Sequence, residues 1–222
     1  MYKNLFFKLK IIAFLLMFIL IWVFLYIEIT YLKVENITTN TDFDNDWIND
    51  IDDILEWARR EVKNKTHYKS TYYSWWFPPE NEWVCTDVLW RALKNAWIDF
   101  KKLIDDDIEK NFWNYRRIEW KADPNIDFRR VPNVDVFFKN NSLVLTNDLI
   151  PWDKENLKNW QPWDIVTFWA PQFHVAILSD KRNKNWVPYI VHSPYLYPRE
   201  DDWLYYWHNN ISPIIGHYRW KY

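Results

Sequence analysis

The sequence predicts an α+β domain behind an N-terminal transmembrane helix, and three observations predict it. An unbroken apolar run of 17 residues, Ile11 to Ile27, stands near the N-terminus with Lys3, Lys8 and Lys10 before it. Two stretches with apolar residues at helical spacing follow it. The C-terminal third then changes to β-branched and aromatic runs separated by turn residues, without an alternating βαβ pattern or an internal repeat.

Taken in order, residues 1–30 read as a signal anchor, 31–46 as a polar tether and 47–222 as one compact domain. The lysines on the short N-terminal side place that end in the cytoplasm and the domain outside, a single-pass cell-membrane arrangement. Tyr26-Ile27-Glu28-Ile29-Thr30-Tyr31 offers no small-residue cleavage site, which argues against a cleaved signal peptide. Ile48, Ile51, Leu55, Ala58 and Val62 repeat at helical spacing and predict a helix from about 47 to 64. A loop runs through Pro79. After Cys85, Val88, Leu89, Ala92, Leu93 and Ala96 share one face of a second helix. The middle, about 101–160, is charged and irregular apart from a short helix at Pro132–Lys139. Ile165–Phe168, His174–Leu178 and Pro188–His192 are strands of a small antiparallel sheet.

The formal charge of −2 leaves no basic excess, so nucleic acid is not an expected partner. One cysteine cannot form an internal disulfide, which leaves Cys85 a free thiol in any compartment.

Glycine and tryptophan are both far from ordinary usage. The chain has 1 glycine and 18 tryptophans, whereas usage of about 7% predicts roughly 15 glycines. Several tryptophans stand where the backbone calls for glycine. Pro162-Trp163-Asp164 and Asn185-Trp186 read as turns, Trp97 follows a helix at the C′ position, and Trp75-Trp76 precede Phe77-Pro78-Pro79 in a loop. The pattern predicts a gene that uses UGA for glycine, read here with a table in which UGA is tryptophan. The competing reading is a tryptophan-rich surface of stacking platforms.

The chemistry-bearing residues are few. A cysteine that opens a helix has its thiolate favoured by the helix dipole, and a nearby imidazole favours it further. His174 opens one strand and His192 closes the next, 18 residues later, so neighbouring strands can set the two rings side by side. In that reading Cys85 is the nucleophile, His174 its base, and His192 holds the His174 tautomer. Against it stands a buried cysteine acting as a small hydrophobe. A metal site of His174, His192 and His217 is disfavoured, because no His-x-x-x-His or Cys-x-x-Cys spacing is present. No cofactor is called for.

Five blocks in order carry a resemblance: Trp83-Val84-Cys85-Thr86-Asp87-Val88, the run from Asp123-Pro124-Asn125 through Asp127-Phe128-Arg129-Arg130 to Asn133, Gln161-Pro162-Trp163-Asp164-Ile165-Val166, His174-Val175-Ala176-Ile177-Leu178-Ser179-Asp180, and Gly216-His217-Tyr218-Arg219. Together they resemble the bacterial domain-of-unknown-function family 1287 over residues 47–222. That family looks like a branch of the papain-like (NlpC-type) fold, whose members cut amide bonds in peptidoglycan stem peptides.

The resemblance implies a membrane-anchored cysteine amidase acting on cell-wall peptide, with Cys85, His174 and His192 in the catalytic positions and backbone N–H groups at the helix start facing the oxyanion. Trp75, Trp76, Trp83, Trp97, Trp120, Trp163, Trp169 and Trp186 stand where the family has glycine, while Trp90 and Trp160 match family tryptophans. Arg129 and Arg130 are candidates to grip a substrate carboxylate, with Asp127 beside them; the alternative is a buried ion cluster that fixes the middle loop. Asp87 reads as a capping residue whose charge opposes the thiolate, and His217 as a packing or hydrogen-bonding residue. If the tryptophans are genuine, a non-catalytic wall-binding module on a membrane anchor is the competing function.

Overall fold

The structure is a computed structural model that describes residues 2–32, 34–42, 45–74, 77–115 and 120–220. The chain divides into two units, residues 1–35 and 36–222. The first holds helix α1 (Tyr2–Leu32). Among the described residues no helix is long and apolar enough to cross a membrane, which overturns the transmembrane helix expected from the sequence. The physical reason is the extent of the unbroken apolar stretch, since α1 itself runs 31 residues. At 1.5 Å per residue the 17-residue run Ile11–Ile27 rises about 26 Å, short of the roughly 30 Å of a bilayer's hydrocarbon core.

The second unit is α+β, helices with an antiparallel sheet. Helix α2 (Asp50–Asn64) starts where the Asn49 side chain accepts the Asp52 N–H, and ends at Lys65 in left-handed backbone. Of the predicted face Ile51, Leu55 and Ala58 are buried and Val62 half-buried, Ile54 joins them, and Ile48 lies exposed before the helix starts. Two short strands, β1 (His67–Tyr68) and β2 (Glu82–Trp83), pair in parallel ahead of α3 (Cys85–Asn95). Helix α4 (Phe100–Asn111), capped by Asp99, lies in the stretch that looked irregular. Its apolar positions Phe100, Ile104 and Ile108 keep a four-residue spacing, but charge surrounds them and hides the pattern. A 3-10 turn at Asp127–Arg129 leads into α5 (Val131–Asn141), with proline in its first turn.

Strand β3 (Leu143–Val144) and the short α6 (Lys154–Leu157) precede the sheet proper. The three predicted strands are β4 (Ile165–Phe168), β5 (His174–Arg182) and β6 (Pro188–His192). They are joined by β7 (Arg199–Asp201), then α7 (Leu204–Asn210), then β8 (Ile214–Arg219). The order is β3-β8-β4-β5-β6-β7, and every pairing is antiparallel. Helix α3 packs on β5, and its apolar face closes a core with α2, α4 and α5. Phe100, Phe137 and Phe138 fill the centre, with the Phe100 and Phe138 rings stacked at 5.5 Å.

Part of the stretch read as a tether is hydrogen-bonded to this unit. Ile37 N–H donates to the Gln161 side chain at 2.8 Å, and the Asn36 amide donates to the Asp180 carbonyl at 2.9 Å.

Among the described residues seven non-glycine positions have positive φ, and five are tryptophan: Trp47, Trp97, Trp152, Trp163 and Trp186. Left-handed backbone penalises any Cβ, and a bulky residue there is an outlier. At Trp97 the geometry is a complete Schellman end to α3. Ile98 N–H reaches the Leu93 carbonyl at 2.9 Å and Trp97 N–H reaches Lys94 at 3.0 Å, the arrangement in which C′ is ordinarily glycine. Trp83 and Trp169 do not share the positive φ, and Trp75 and Trp76 lie outside the described residues. Trp83 is fully buried with the Arg91 guanidinium 4.2 Å over its ring.

Candidate functional site

The fold brings Cys85 and His174 to one pocket. Cys85 is the first residue of α3, and His174 is the first residue of β5, the strand on which α3 packs. Both line a cavity of about 500 Å³ together with Tyr68, Gln172, Phe173 and Ser193, and with Trp207 from α7. His192, at the end of β6, puts its Nδ1 2.9 Å from His174 Nε2. With Nε2 so engaged, Nδ1 is the His174 nitrogen left for the thiol. The His174 ring stacks on Trp207 at 4.5 Å, which fixes its plane. His192 Nε2 in turn lies 3.3 Å from the Asp201 carboxylate.

The electrostatics differ from a simple helix-dipole expectation. Cys85 keeps part of its surface open, but surrounding protein strips its solvation and pushes the thiol up to about 11. Backbone N–H groups of Val175, Thr86 and Cys85 itself favour the thiolate, while the Asp87 charge opposes it. Burial, with a contribution from His192, holds His174 well below the usual histidine range. Near neutral pH the resting pair is therefore an uncharged thiol beside an uncharged imidazole.

Asp87, Arg129 and Arg130 occupy different places from the pocket. Asp87 is fully buried and accepts Val84 N–H at 2.8 Å and Trp90 Nε1–H at 2.9 Å, which ties down the start of α3. Arg129 grips it bidentately through Nε and Nη2, both at 2.9 Å, and spends Nη1 on the Thr71 carbonyl. Its guanidinium is committed to bracing the start of α3, so the carboxylate it holds belongs to the protein. Arg130 is partly exposed and pairs with Asp127 at 2.9 Å. Asp127 accepts the Asp123 N–H and fixes the turn before α5. None of Asp127, Arg129 and Arg130 lines the Cys85 pocket. His217 lies elsewhere too, buried between the Thr146 carbonyl at 2.8 Å and Asp164 at 3.0 Å, with Trp160 stacked on its ring at 3.9 Å. Among the described residues no group of three potential ligands is placed to hold a metal ion.

Residues 55–220 match the family described as domain of unknown function DUF1287. The chain belongs to this family. An uncharacterized protein of Escherichia coli strain K12, YijF, is 30% identical over 176 residues, covering 75% of this chain and 80% of the relative. No solved structure matches the chain, so the papain-like fold expected from the resemblance has no structural counterpart here. The DUF1287 match spans every element that builds the pocket, from β1 through α7.

Several pocket residues escaped the sequence reading. Tyr68, Gln172, Ser193 and Trp207 come from four separate loops or elements and share no spacing. Asp201 sits in the acidic run Glu200-Asp201-Asp202, which looks like a solvated turn. Its signal was position: one strand after His192, at the same alternation.

Proposed function

We propose that this chain is a cysteine hydrolase of amide bonds, with Cys85 as nucleophile, His174 as general base and His192 holding the His174 ring. One observation carries the reading: a cysteine at a helix start and a histidine at a strand start share one pocket, and that histidine's far nitrogen is held 2.9 Å from His192. In the reaction the thiol proton passes to His174 Nδ1 as sulfur attacks the amide carbonyl. The negative oxygen faces backbone N–H groups at the helix start. Collapse breaks the C–N bond, with His174 returning the proton to the leaving amine. Water, deprotonated by His174, then cleaves the thioester, releasing a carboxylate and the free thiol. Peptidoglycan stem peptides are the substrate class we propose.

Release of peptides from purified peptidoglycan by the full chain, and its loss in Cys85→Ala, tests this. A folded protein with no release and no Cys85-dependent chemistry would sink it. A second reading has one observation in its favour. A thiol pushed up to about 11 suits an inert, packed cysteine in a non-catalytic wall-binding module. Iodoacetamide separates the two: an inert thiol resists alkylation at pH 7, and a base-assisted one does not.

A further inference from the structure

We infer that Asp201 is a positioning residue that sets the proton order of the His192–His174 pair and thereby makes His174 Nδ1 an acceptor toward Cys85. The inference rests on the Cys85–His174 reading above.

Exactly where the proton lies between His174 Nε2 and His192 Nδ1 is a choice between two arrangements, since the 2.9 Å contact accommodates one proton. If His192 carries its proton on Nδ1, it donates to His174 Nε2. Neutral His174 must then carry its own proton on Nδ1, the nitrogen that the proposed mechanism assigns to the thiol, and cannot act as base there. If His192 carries its proton on Nε2 instead, its Nδ1 accepts from His174 Nε2–H. His174 Nδ1 is then a lone pair. Only the second arrangement permits catalysis.

The Asp201 carboxylate selects it. Its oxygens lie 3.3 and 3.5 Å from His192 Nε2, and among the described residues no other acceptor is recorded against that nitrogen. An ionised carboxylate only accepts, so it favours a proton on His192 Nε2. The placement follows from the sheet. Strand β7 pairs His192 with Arg199 and Ile190 with Asp201, so His192 and Asp201 are diagonal neighbours on one face. The carboxylate is itself oriented, accepting the Trp203 N–H at 3.2 Å. Of the neighbouring charges, Arg199 lies over the Tyr197 and Trp203 rings, and Glu200 turns the other way to Arg59 and Lys181. His192 is fully buried and His174 nearly so, so water does not compete for the choice.

The test uses the full chain in four forms: wild type, His174→Ala, Asp201→Asn and Asp201→Glu. Histidine ¹⁵N shifts of the wild type read the tautomers directly, and iodoacetamide alkylation of Cys85 from pH 5 to 10 reads base assistance. The expected wild type has both His174 and His192 protonated on Nε2. Asn can either donate or accept at His192 Nε2, so Asp201→Asn should mix the tautomers and slow neutral-pH alkylation by roughly tenfold or more, with Asp201→Glu restoring most of it. A purely structural role would lower the melting temperature while leaving the tautomers and the pH profile of the folded fraction unchanged. Wild-type His192 protonated on Nδ1 overturns the inference whether or not the variants fold, as does Asp201→Asn with wild-type tautomers and rate. If His174→Ala alkylates at the wild-type rate, the Cys85–His174 reading itself falls. A slow His174→Ala beside a normal Asp201→Asn removes Asp201 alone.

Discussion

Replacing Trp97 with glycine should stabilise this protein, although it removes the largest side chain there is. Trp97 has φ 58° at the end of α3, and its residue surface is 75% exposed. Left-handed backbone costs a bulky residue about 1–2 kcal/mol, while glycine gives back about 0.5–1 kcal/mol in unfolded-chain entropy. An indole this exposed contributes little packing, so the net gain is about 0.5–1 kcal/mol per site. Trp47, at φ 77° and 94% exposed, and Trp152, at φ 68° and 51% exposed, meet the same conditions in other parts of the unit. The triple variant should therefore gain about 1.5–3 kcal/mol, since separated sites add. Equilibrium urea unfolding measures it as a higher midpoint with an unchanged slope. Trp113 supplies the control, being 89% exposed but in a 3-10 turn without positive φ. Trp113→Gly should destabilise by about 0.5–1 kcal/mol. If Trp97→Gly lowers the midpoint as Trp113→Gly does, the backbone argument is wrong.

The same argument predicts glycine, by mass spectrometry of peptides from the native organism, at Trp97, Trp163 and Trp186; tryptophan masses there would end the codon-reassignment reading. Breaking the buried Asp87–Arg129 pair by Arg129→Met leaves Asp87 unpaired among 0%-exposed surroundings, and thermal or urea unfolding should show a loss of about 3–5 kcal/mol. Acid should destabilise the fold in two windows. His174 is held well below its ordinary range of about 6.5 by burial, so the unfolded chain binds the proton first and stability falls as pH drops below about 6.5, by up to about 1.4 kcal/mol per pH unit. His174→Gln should flatten that segment of a stability-against-pH curve. Glu200 behaves in the opposite sense of charge: burial opposes its ionisation, but hydrogen bonds from Arg59, Lys181 and Ser179 outweigh this and hold it at about 2. Its contribution is present above the ordinary carboxylate range and is lost as pH falls from about 4.5 to 2, so Glu200→Gln should remove the acid limb alone.

Much of the architecture was legible because it is local. The face of α2, the helix that starts at Cys85, the helix near Val131 and strands β4 to β6 follow from the period of apolar residues, which a short window contains. The positive-φ turns at Trp97, Trp163 and Trp186 were legible for the same reason, since a turn is specified by its own few residues. Cys85, His174 and His192 were singled out by their positions at element ends, and the antiparallel pairing of β5 and β6 places the two rings together. Distance along the chain hid the rest. Trp207 and Tyr68 reach the pocket, and Asp201 reaches His192, only through the order of strands in the sheet and the return of α7, which no local spacing encodes. Arg129 read either as a substrate grip or as part of an internal ion cluster with Asp127, because its fork fits any carboxylate, and only the packing of the 127–129 turn on α3 shows that the carboxylate is Asp87. The thiol's elevated proton affinity was likewise invisible. A helix dipole can be read from a sequence, whereas desolvation is a property of everything packed around the sulfur, and here it is the larger effect.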